Sequence, residues 1–341
     1  MSSSELKGVL IGAGFFAGFH AEAWRRIDGV RIAAIADLTP DKARQFADKW
    51  GFSRTYSDAE EMIRKEKPDF VDIVTRPDSH LTLTSLAASE GVHIICQKPM
   101  SSSWGEAMSM VEVCAKAEVR LLMHENWRWQ PWYREIKKLI VAGVAGKPYH
   151  LAYRMRSGDG LGPLPYKNQP YFREMPRLLI YEMLVHQLDT ARYLAGEIQT
   201  LYCQIQRINP VIQGEDYAQI HLLFANGVQG LLDGNRINGR EPSKVVMGSF
   251  RLEGDRGMLR LTSNGRLFIS ENGGDEHPHT FHAPDRGYKG DSVRAAQEHY
   301  VHCLQSGARC ETEGEEYLKT VAAVEACYRS AATRQAVNLH E

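Results

Sequence analysis

Residues 9–17 read Val-Leu-Ile-Gly-Ala-Gly-Phe-Phe-Ala, a short apolar run followed by glycines and a small residue in the spacing GxGxxA. The apolar run predicts a buried strand, and the spacing after it predicts a helix over Phe15–Asp28. Gly12 permits a tight turn, Gly14 lets the backbone approach a pyrophosphate, and Ala17 allows close packing of helix and strand. This stretch therefore predicts the phosphate-binding turn of a dinucleotide-binding domain.

A carboxylate follows the next predicted strand, Arg31–Ala36. Asp37 stands about 20 residues after the glycines, where it would accept hydrogen bonds from the adenosine ribose. Its charge would repel a 2′-phosphate, and the residue after it is Leu38 rather than an arginine. The sequence favours NAD over NADP, with Phe15 and Phe16 also expected at the cofactor site.

The first third of the chain alternates apolar runs with helix-like segments. This alternation is typical of a parallel sheet covered on both faces. The further predicted strands are Phe70–Val74, Val92–Ile95 and Arg120–Met123, and the further predicted helices are Asp41–Trp50, Ser57–Lys65, Ser79–Glu90 and Glu106–Lys116. We expect residues 1–125 to form a doubly wound α/β domain of the Rossmann type.

Beyond residue 125 the pattern changes. It predicts the helix Pro131–Val141, a long strand over residues 148–156, a Gly- and Pro-rich loop over 158–170, the helix Leu178–Leu194, six short strands between 201 and 270, and helices over 292–305 and 315–333. Asn226-Gly227 is a hairpin signal between two of those strands. We expect residues 126–341 to form an α+β domain with a mostly antiparallel open sheet.

Composition narrows the class of protein. The chain has 341 residues, enough for two domains of roughly 150 residues each. A formal net charge of −1 gives no indication of nucleic acid or an anionic membrane as partner. No segment reaches the roughly 18 consecutive apolar residues of a membrane helix, and the N-terminus has no signal-peptide pattern. We expect a cytoplasmic protein with reduced cysteines.

Several short motifs resemble those of one family. Residues 75–80 (Thr-Arg-Pro-Asp-Ser-His) resemble its TPPxxH signature, and residues 97–99 (Gln-Lys-Pro) resemble its EKP signature. Trp127-Arg128, residues 182–189 (Glu-x-x-x-His-x-x-Asp) and the closing segment 314–331 are also similar. In order and spacing, the chain resembles the glucose–fructose oxidoreductase / inositol dehydrogenase (Gfo/Idh/MocA) family over nearly its whole length.

The resemblance implies roles for a lysine and a histidine. Lys98 follows a strand at the edge where doubly wound sheets bind ligands, and by resemblance it would hold the substrate hydroxyl. His186 would be the main acid/base, which suits a pKa near neutrality. Glu182 lies four residues earlier on the predicted helix, so it shares a face with His186 and would orient the imidazole.

Two further sets of contacts are expected. Cofactor contacts are predicted for Gly12, Gly14, Phe15, Phe16, Ala17, Asp37, Thr75, Pro77, His80, Gln97 and Lys98. Substrate contacts are predicted for Trp127, Arg128, Tyr166, Gln169 and Asp189. Aromatic and polar groups in combination suit sugars, which present apolar CH faces and many hydroxyls, although tryptophans at domain junctions also serve packing alone.

Two departures from the family pattern bear on these roles. Gln97 replaces the usual glutamate, which removes a negative charge beside Lys98. Glu182 replaces the usual aspartate, and Leu184 replaces a glycine of the DxGxH pattern. The longer carboxylate arm and the added bulk are expected to reshape the pocket.

The resemblance implies an NAD-dependent dehydrogenase that acts on a CH–OH group of a sugar or polyol. The segments around residues 127 and 166 are most similar to those of the family's aldose dehydrogenases, with a branched pentose such as apiose as one candidate substrate. Two alternatives stay open: an NAD-dependent glycosidase that uses transient oxidation, and a non-catalytic NAD or ligand sensor. The family also implies a homodimer or homotetramer formed through the C-terminal sheet.

Residues 275–282 (Asp-Glu-His-Pro-His-Thr-Phe-His) look like a cluster of metal ligands. They lie in a Gly-rich stretch and lack the fixed spacing of motifs such as HExxH. We therefore expect a solvated loop here and no metal site.

Overall fold

The computed structural model describes residues 5–238 and 245–339. The chain divides into two compact units, Met1–Trp129 with Arg286–Val321, and Gln130–Asp285 with Ala322–Glu341. The sequence pattern instead predicts one domain over residues 126–341. The segment from Arg286 packs with the first unit because Tyr300 and its neighbours share one apolar cluster with Trp24 and Phe70.

The first unit contains a six-stranded sheet in which every pair of neighbouring strands is parallel. The strands are β1 (Leu6–Ile11), β2 (Val30–Ala36), β3 (Thr55–Tyr56), β4 (Phe70–Ile73), β5 (His93–Gln97) and β6 (Leu121–His124). Their order is β3-β2-β1-β4-β5-β6, so the direction of winding reverses between β1 and β4. Ligands of such sheets bind at the carboxyl ends of the strands beside this reversal. The predicted doubly wound fold is confirmed.

Five helices connect these strands. They are α1 (Ala17–Trp24), α2 (Pro40–Trp50), α3 (Ala59–Glu66), α4 (His80–Ser89) and α5 (Trp104–Lys116). The ends of α2 follow the expected signals, because Pro40 stands in its first turn and Gly51 ends it with a φ of 76°. Helix α1 is shorter than the predicted Phe15–Asp28.

The second unit is built on a nine-stranded sheet. After helix α6 (Pro131–Val141), its elements are β7 (Pro148–Arg156), α7 (Val185–Ala195), β8 (Ile198–Gln206), β9 (Tyr217–Phe224), β10 (Gln229–Asn235), β11 (Gly248–Gly254), β12 (Gly257–Leu261), β13 (Leu267–Glu271), β14 (His277–His279) and β15 (Val337–Asn338). Neighbouring strands are antiparallel except for β7 and β10. The predicted mostly antiparallel sheet is confirmed.

Two long helices come from the C-terminal part of the chain, α8 (Ser292–Ser306) and α9 (Gly314–Thr333). Both begin and end within two residues of the predicted bounds. No helix in the part of the chain that the structure describes combines the length and apolar character needed to cross a membrane.

Two predicted elements of the second unit differ from the structure. The helix predicted over Leu178–Leu194 begins as a π-helical turn, Leu179–Leu184, and only then continues as α7. The predicted loop around residue 278 instead contains β14, which pairs with β13 through the partners Leu267–His279 and Ile269–His277. An edge strand is held by backbone hydrogen bonds, so this polar segment needs no apolar pattern to form one.

Candidate cofactor and substrate sites

The glycine-rich turn between β1 and α1 has a backbone that only glycine adopts easily. Gly12 has a φ of 103°, and its N–H donates to Ala36 O at 2.8 Å. A Cβ at this position would lie 2.4 Å from Val74 O, closer than real side chains approach. The predicted tight turn is therefore enforced both by backbone conformation and by the neighbouring strand.

The same turn fits a pyrophosphate. A Cβ built on Gly14 would meet no heavy atom within 4 Å among the described residues, so the backbone is open to close approach there. Helix α1 begins after Phe16, whose side chain makes no capping hydrogen bond. The first N–H groups of the helix therefore need acceptors, and phosphate oxygens suit both those N–H groups and the helix dipole.

Asp37 is fixed beside this turn. Its Oδ2 accepts the N–H of Ala13 at 2.9 Å, and its Oδ1 accepts the N–H of Thr39 at 2.9 Å. Each carboxylate oxygen retains a second lone pair for a further donor such as a ribose hydroxyl. The next residue, Leu38, is 94% exposed and uncharged, so the position directly after the carboxylate offers no cation to a 2′-phosphate.

His80 of the TPPxxH-like segment contacts the backbone of two loops, the one after β4 and the one after β5. His80 is fully buried, with Nδ1 3.1 Å from Met100 O and Nε2 3.3 Å from Thr75 O. Burial lowers the pKa of His80, so the ring is neutral and donates to only one of these carbonyls at a time. Thr75 Oγ1 lies 2.7 Å from Ser79 Oγ. The predicted cofactor contacts of Thr75, Pro77 and His80 stay predictions, and the described role of His80 is to join the loops after β4 and β5.

Gln97, the departure from the EKP pattern, belongs to a buried hydrogen-bond chain. Its Oε1 accepts the backbone N–H of Lys98 at 2.7 Å, so its amide nitrogen faces His20 Nε2 at 3.0 Å. His20 Nδ1 in turn lies 2.8 Å from Asp72 Oδ2, which also accepts the indole N–H of Trp24 at 2.7 Å. Because an amide nitrogen only donates, His20 Nε2 accepts and Nδ1 carries the proton given to Asp72.

That hydrogen-bond chain links three elements that are separate in the sequence. Helix α1, which follows the glycine turn, provides His20, β4 provides Asp72, and the end of β5 provides Gln97. One signal was present in the sequence: an aspartate within the otherwise apolar strand Phe-Val-Asp-Ile must be buried and therefore needs a polar partner.

The candidate acid/base group of the second unit lies on the π-helical turn and α7. Glu182 is in the turn, whereas His186 and Asp189 are in α7. All three are buried, and Asp189 is fully so. The predicted i, i+4 pair thus spans a junction of two helix types, and π-helical turns are frequent at functional sites.

Leu184, which replaces the glycine of the family's DxGxH pattern, has room for its side chain. It is fully buried and packs against Gly234 of β10. A Cβ at Gly234 would lie only 2.8 Å from Leu184 Cδ2. The missing side chain at residue 234 therefore makes room for the leucine on the sheet.

Trp127 and Arg128 form part of a short 3-10 turn in the first unit. Both are buried; the N–H of Trp127 donates to Glu125 Oε1 at 2.9 Å, and Arg128 Nη1 donates to Glu311 O at 3.2 Å. Tyr317 donates to the other oxygen of Glu125 at 3.2 Å. These contacts hold the turn firmly, and the predicted contact of either residue with substrate stays a prediction.

Tyr166 is buried and anchors the Gly- and Pro-rich loop. The Arg236 guanidinium carbon lies 4.2 Å from its ring centroid, and its cluster includes Phe172 and Leu178. Burial raises the pKa of Tyr166 to about 12. In this cluster the tyrosine serves packing, and its predicted contact with substrate stays a prediction. Gln169, whose amide donates to Tyr171 Oη at 3.0 Å, stays a predicted contact.

The His-rich segment near residue 278 does not gather its side chains around one point. His279 pairs with Glu135 at 2.9 Å, and Glu276 pairs with Arg260. Elsewhere in the described chain, donor atoms of His299, Cys303 and Cys310 lie within 4.8 Å of one another. These donors already bond to protein, since His299 Nε2 accepts the N–H of Glu311 and Cys303 Sγ donates to Arg309 O.

Comparison with known proteins assigns both parts of the chain. Residues 6–125 match the model of the Gfo/Idh/MocA oxidoreductase family with an NAD-binding Rossmann fold, and residues 133–260 match a Gfo/Idh/MocA C-terminal domain. A D-apiose dehydrogenase of Rhizobium rhizogenes is 36% identical over 99% of this chain and 99% of its own. A second, from Paraburkholderia graminis, is 35% identical over 98% of this chain and 89% of its own.

A solved structure is similar over the same length. It is an oxidoreductase from Agrobacterium radiobacter in complex with NAD+, L-tartaric acid and magnesium, 35% identical with a TM-score of 0.92 and 99% of each chain covered. The fold, the glycine turn and the full-length similarity lead to one conclusion: the chain belongs to the Gfo/Idh/MocA family of oxidoreductases.

Proposed function

We propose that this protein is an NAD-dependent dehydrogenase that oxidises a CH–OH group of an aldose, with D-apiose as the leading substrate. The observation that carries the proposal is the similarity, over 98% or more of this chain, to two proteins named D-apiose dehydrogenase. The fit of the glycine turn to a pyrophosphate supports it independently.

The first unit would hold the cofactor. Gly12, Gly14 and the N-terminus of α1, with Phe15, Phe16 and Ala17 around it, would bind the pyrophosphate. Asp37 would accept the ribose hydroxyls, and its charge would oppose a 2′-phosphate, which favours NAD over NADP. When bound, NAD supplies the acceptor for the hydride.

The remaining chemistry concerns a proton. In the proposed reaction a ring nitrogen of His186 takes the hydroxyl proton of the sugar as its C–H bond breaks, which leaves a carbonyl. Glu182 orients the imidazole, and the Lys98 ammonium holds the reacting oxygen. At an anomeric carbon the product is a lactone.

The experiment follows NADH absorbance with a panel of aldoses, polyols and inositols, with NAD and NADP in parallel. We expect turnover with NAD and D-apiose, and a loss of about 10²- to 10⁴-fold in kcat for His186→Ala, the range that a general acid/base contributes. Lys98→Ala should also lose most activity. As control, His186→Ala should bind NAD with wild-type affinity, since its predicted role concerns the substrate.

The panel also separates the rival functions. Tight NAD binding without turnover on any free sugar would remove the support for the dehydrogenase. Cleavage of a glycoside without net NADH release would instead establish a glycosidase. Binding of NAD with neither reaction would leave a sensor.

A further inference from the structure

The helical segment that carries Glu182 and His186 begins without a capping side chain of its own. Leu178 precedes the π-helical turn, and it makes no side-chain hydrogen bond to the backbone. The first N–H groups of a helix have no partner within that helix. Leu178, Leu179 and Ile180 are fully buried, so water does not provide one.

Glu215, which is distant in the chain, supplies three of the missing acceptors. Glu215 Oε2 accepts the N–H of Leu178 at 3.2 Å, and Oε1 accepts the N–H of Ile180 at 3.0 Å. The backbone oxygen of Glu215 accepts the N–H of Leu179 at 3.1 Å. Glu215 is itself only 4% exposed, and a buried negative charge is favourable at the positive end of a helix dipole.

A tyrosine from helix α9 completes the arrangement. Tyr328 donates its hydroxyl to Glu215 Oε1 at 2.6 Å, and Tyr328 Oη itself accepts the N–H of Tyr181 at 3.2 Å. Burial, with the nearby Glu215 charge, raises the pKa of Tyr328 well above its ordinary value, so the hydroxyl keeps its proton and donates. The Arg177 guanidinium carbon lies 4.0 Å from the tyrosine ring centroid, and Arg177 pairs with Glu325 at 2.8 Å.

We propose that Glu215 and Tyr328 are positioning residues that fix the π-helical turn and thereby place Glu182 relative to His186. This inference rests on the proposed function, in which those two side chains carry the proton transfer. A turn that rewound as α-helix would lose one residue per turn, and its side chains would rotate by up to about 100° around the helix axis. Displacements of about 1 Å at reacting groups cost about 10²-fold in rate.

The test compares three variants. Tyr328→Phe removes only the hydroxyl, and Glu215→Gln keeps the shape but turns an amide N–H toward a backbone donor. Ser330→Ala is the matched control, because its buried hydroxyl on the same helix accepts the N–H of Cys203 at 2.9 Å and donates to Gln335 O at 2.6 Å. Its described hydrogen bonds do not include the π-helical turn.

We expect kcat to fall about 10- to 100-fold in Tyr328→Phe and Glu215→Gln, with KM for NAD unchanged. Ser330→Ala should lower the Tm about as much as the other two variants do, because it also removes a buried hydrogen-bonding group. It should leave kcat within about twofold of wild type. An equal loss of kcat in all three variants, or wild-type kcat in the first two, would overturn the proposal.

Hydrogen exchange provides a readout that does not need activity. Mass spectrometry of the peptide covering residues 178–186 should show faster amide exchange in Tyr328→Phe than in wild type and Ser330→Ala. Faster exchange in a protein that oxidises no sugar would uphold the role of Glu215 and Tyr328 in fixing the turn and refute the proposed dehydrogenase. Unchanged exchange in Tyr328→Phe would refute the inference while leaving the dehydrogenase untouched.

Discussion

At the scale of single residues, Gln97 makes hydrogen bonds to one donor and one acceptor, which a glutamate could not do when ionised. Its oxygen accepts the Lys98 N–H, and its amide nitrogen donates to neutral His20, which donates to Asp72. A glutamate would present a second acceptor to His20 Nε2. Both ring nitrogens would then have to donate, and the imidazole would have to carry a positive charge.

Gln97→Glu should therefore lower the stability of the protein. The variant must either bury a charged imidazole or leave two acceptors facing each other, and an unsatisfied buried acceptor costs about 1 to 3 kcal/mol. Thermal unfolding of the variant and the wild type checks this, with Gln199→Glu as an exposed control. A wild-type Tm in Gln97→Glu would refute the hydrogen-bond assignment.

Asp37 provides a second residue-scale prediction. Asp37→Asn keeps an oxygen that can accept from the backbone but removes the charge that would repel a 2′-phosphate. The ratio of kcat/KM for NAD to that for NADP should fall about tenfold or more, since a charged hydrogen bond contributes about 1.5 to 3 kcal/mol. Asp41→Asn, at a nearby exposed carboxylate, should leave the ratio unchanged. An unaltered ratio in Asp37→Asn would remove Asp37 from the ribose site.

The residues that could be predicted from the sequence are those whose roles are local. The glycine turn and Asp37 follow from a strand, a turn and a helix in succession, so their spacing was informative. Glu215 could not be predicted in the same way, because its function depends on Leu178, Ile180 and Tyr328, which are distant in the chain. The burial of Tyr166 could not be predicted either, because loop composition does not reveal that Arg236 covers the ring.

At the scale of elements, the π-helical turn and β10 have complementary shapes. Leu184 on the turn packs where Gly234 on the strand has no side chain. The sequence predicted helix and strand correctly, but a six-residue π-helical turn is too short for its side-chain pattern to be distinguished from that of an α-helix. The pairing of a large residue on one element with a small one on the other emerges only when the two pack together.

Gly234→Ala tests that packing. The added Cβ would come within 2.8 Å of Leu184, so the variant should lose about 1 to 3 kcal/mol of stability, as overpacked cores do. Leu184→Ala in the same chain should recover part of the loss, which gives a favourable interaction energy in a double-mutant cycle. Additive losses measured by denaturant unfolding would show that the two residues do not share this contact.

At the scale of the whole molecule, the two folds were predictable but the extent of the first unit was not. The strand and helix patterns identify each sheet, because burial of one or both faces determines where apolar residues stand along the chain. The return of residues 286–321 to the first unit depends on packing between α1 and α8, with Arg26 of α1 paired to Asp291. Amphipathic helices do not specify which sheet they cover.

The proposed assembly is a whole-molecule property. Along β9 to β12 alternate side chains are buried, and the opposite face includes Leu223 and Leu231 among polar residues. We expect this face to pair with another copy, as the family resemblance implies, giving a homodimer or homotetramer in light scattering. Leu223→Glu should weaken that assembly by placing a charge in the interface. A wild-type monomer at micromolar concentration would contradict the assembly.

The measurement that tests the central claim most directly is the transfer of a label. D-Apiose carrying deuterium at its anomeric carbon is incubated with NAD and the wild-type protein, and the mass of the NADH formed is measured by mass spectrometry. Hydride transfer from the sugar predicts NADH that is one mass unit heavier than that formed from unlabelled sugar. NADH without deuterium, or no NADH at all, would contradict the oxidation of the anomeric carbon of D-apiose.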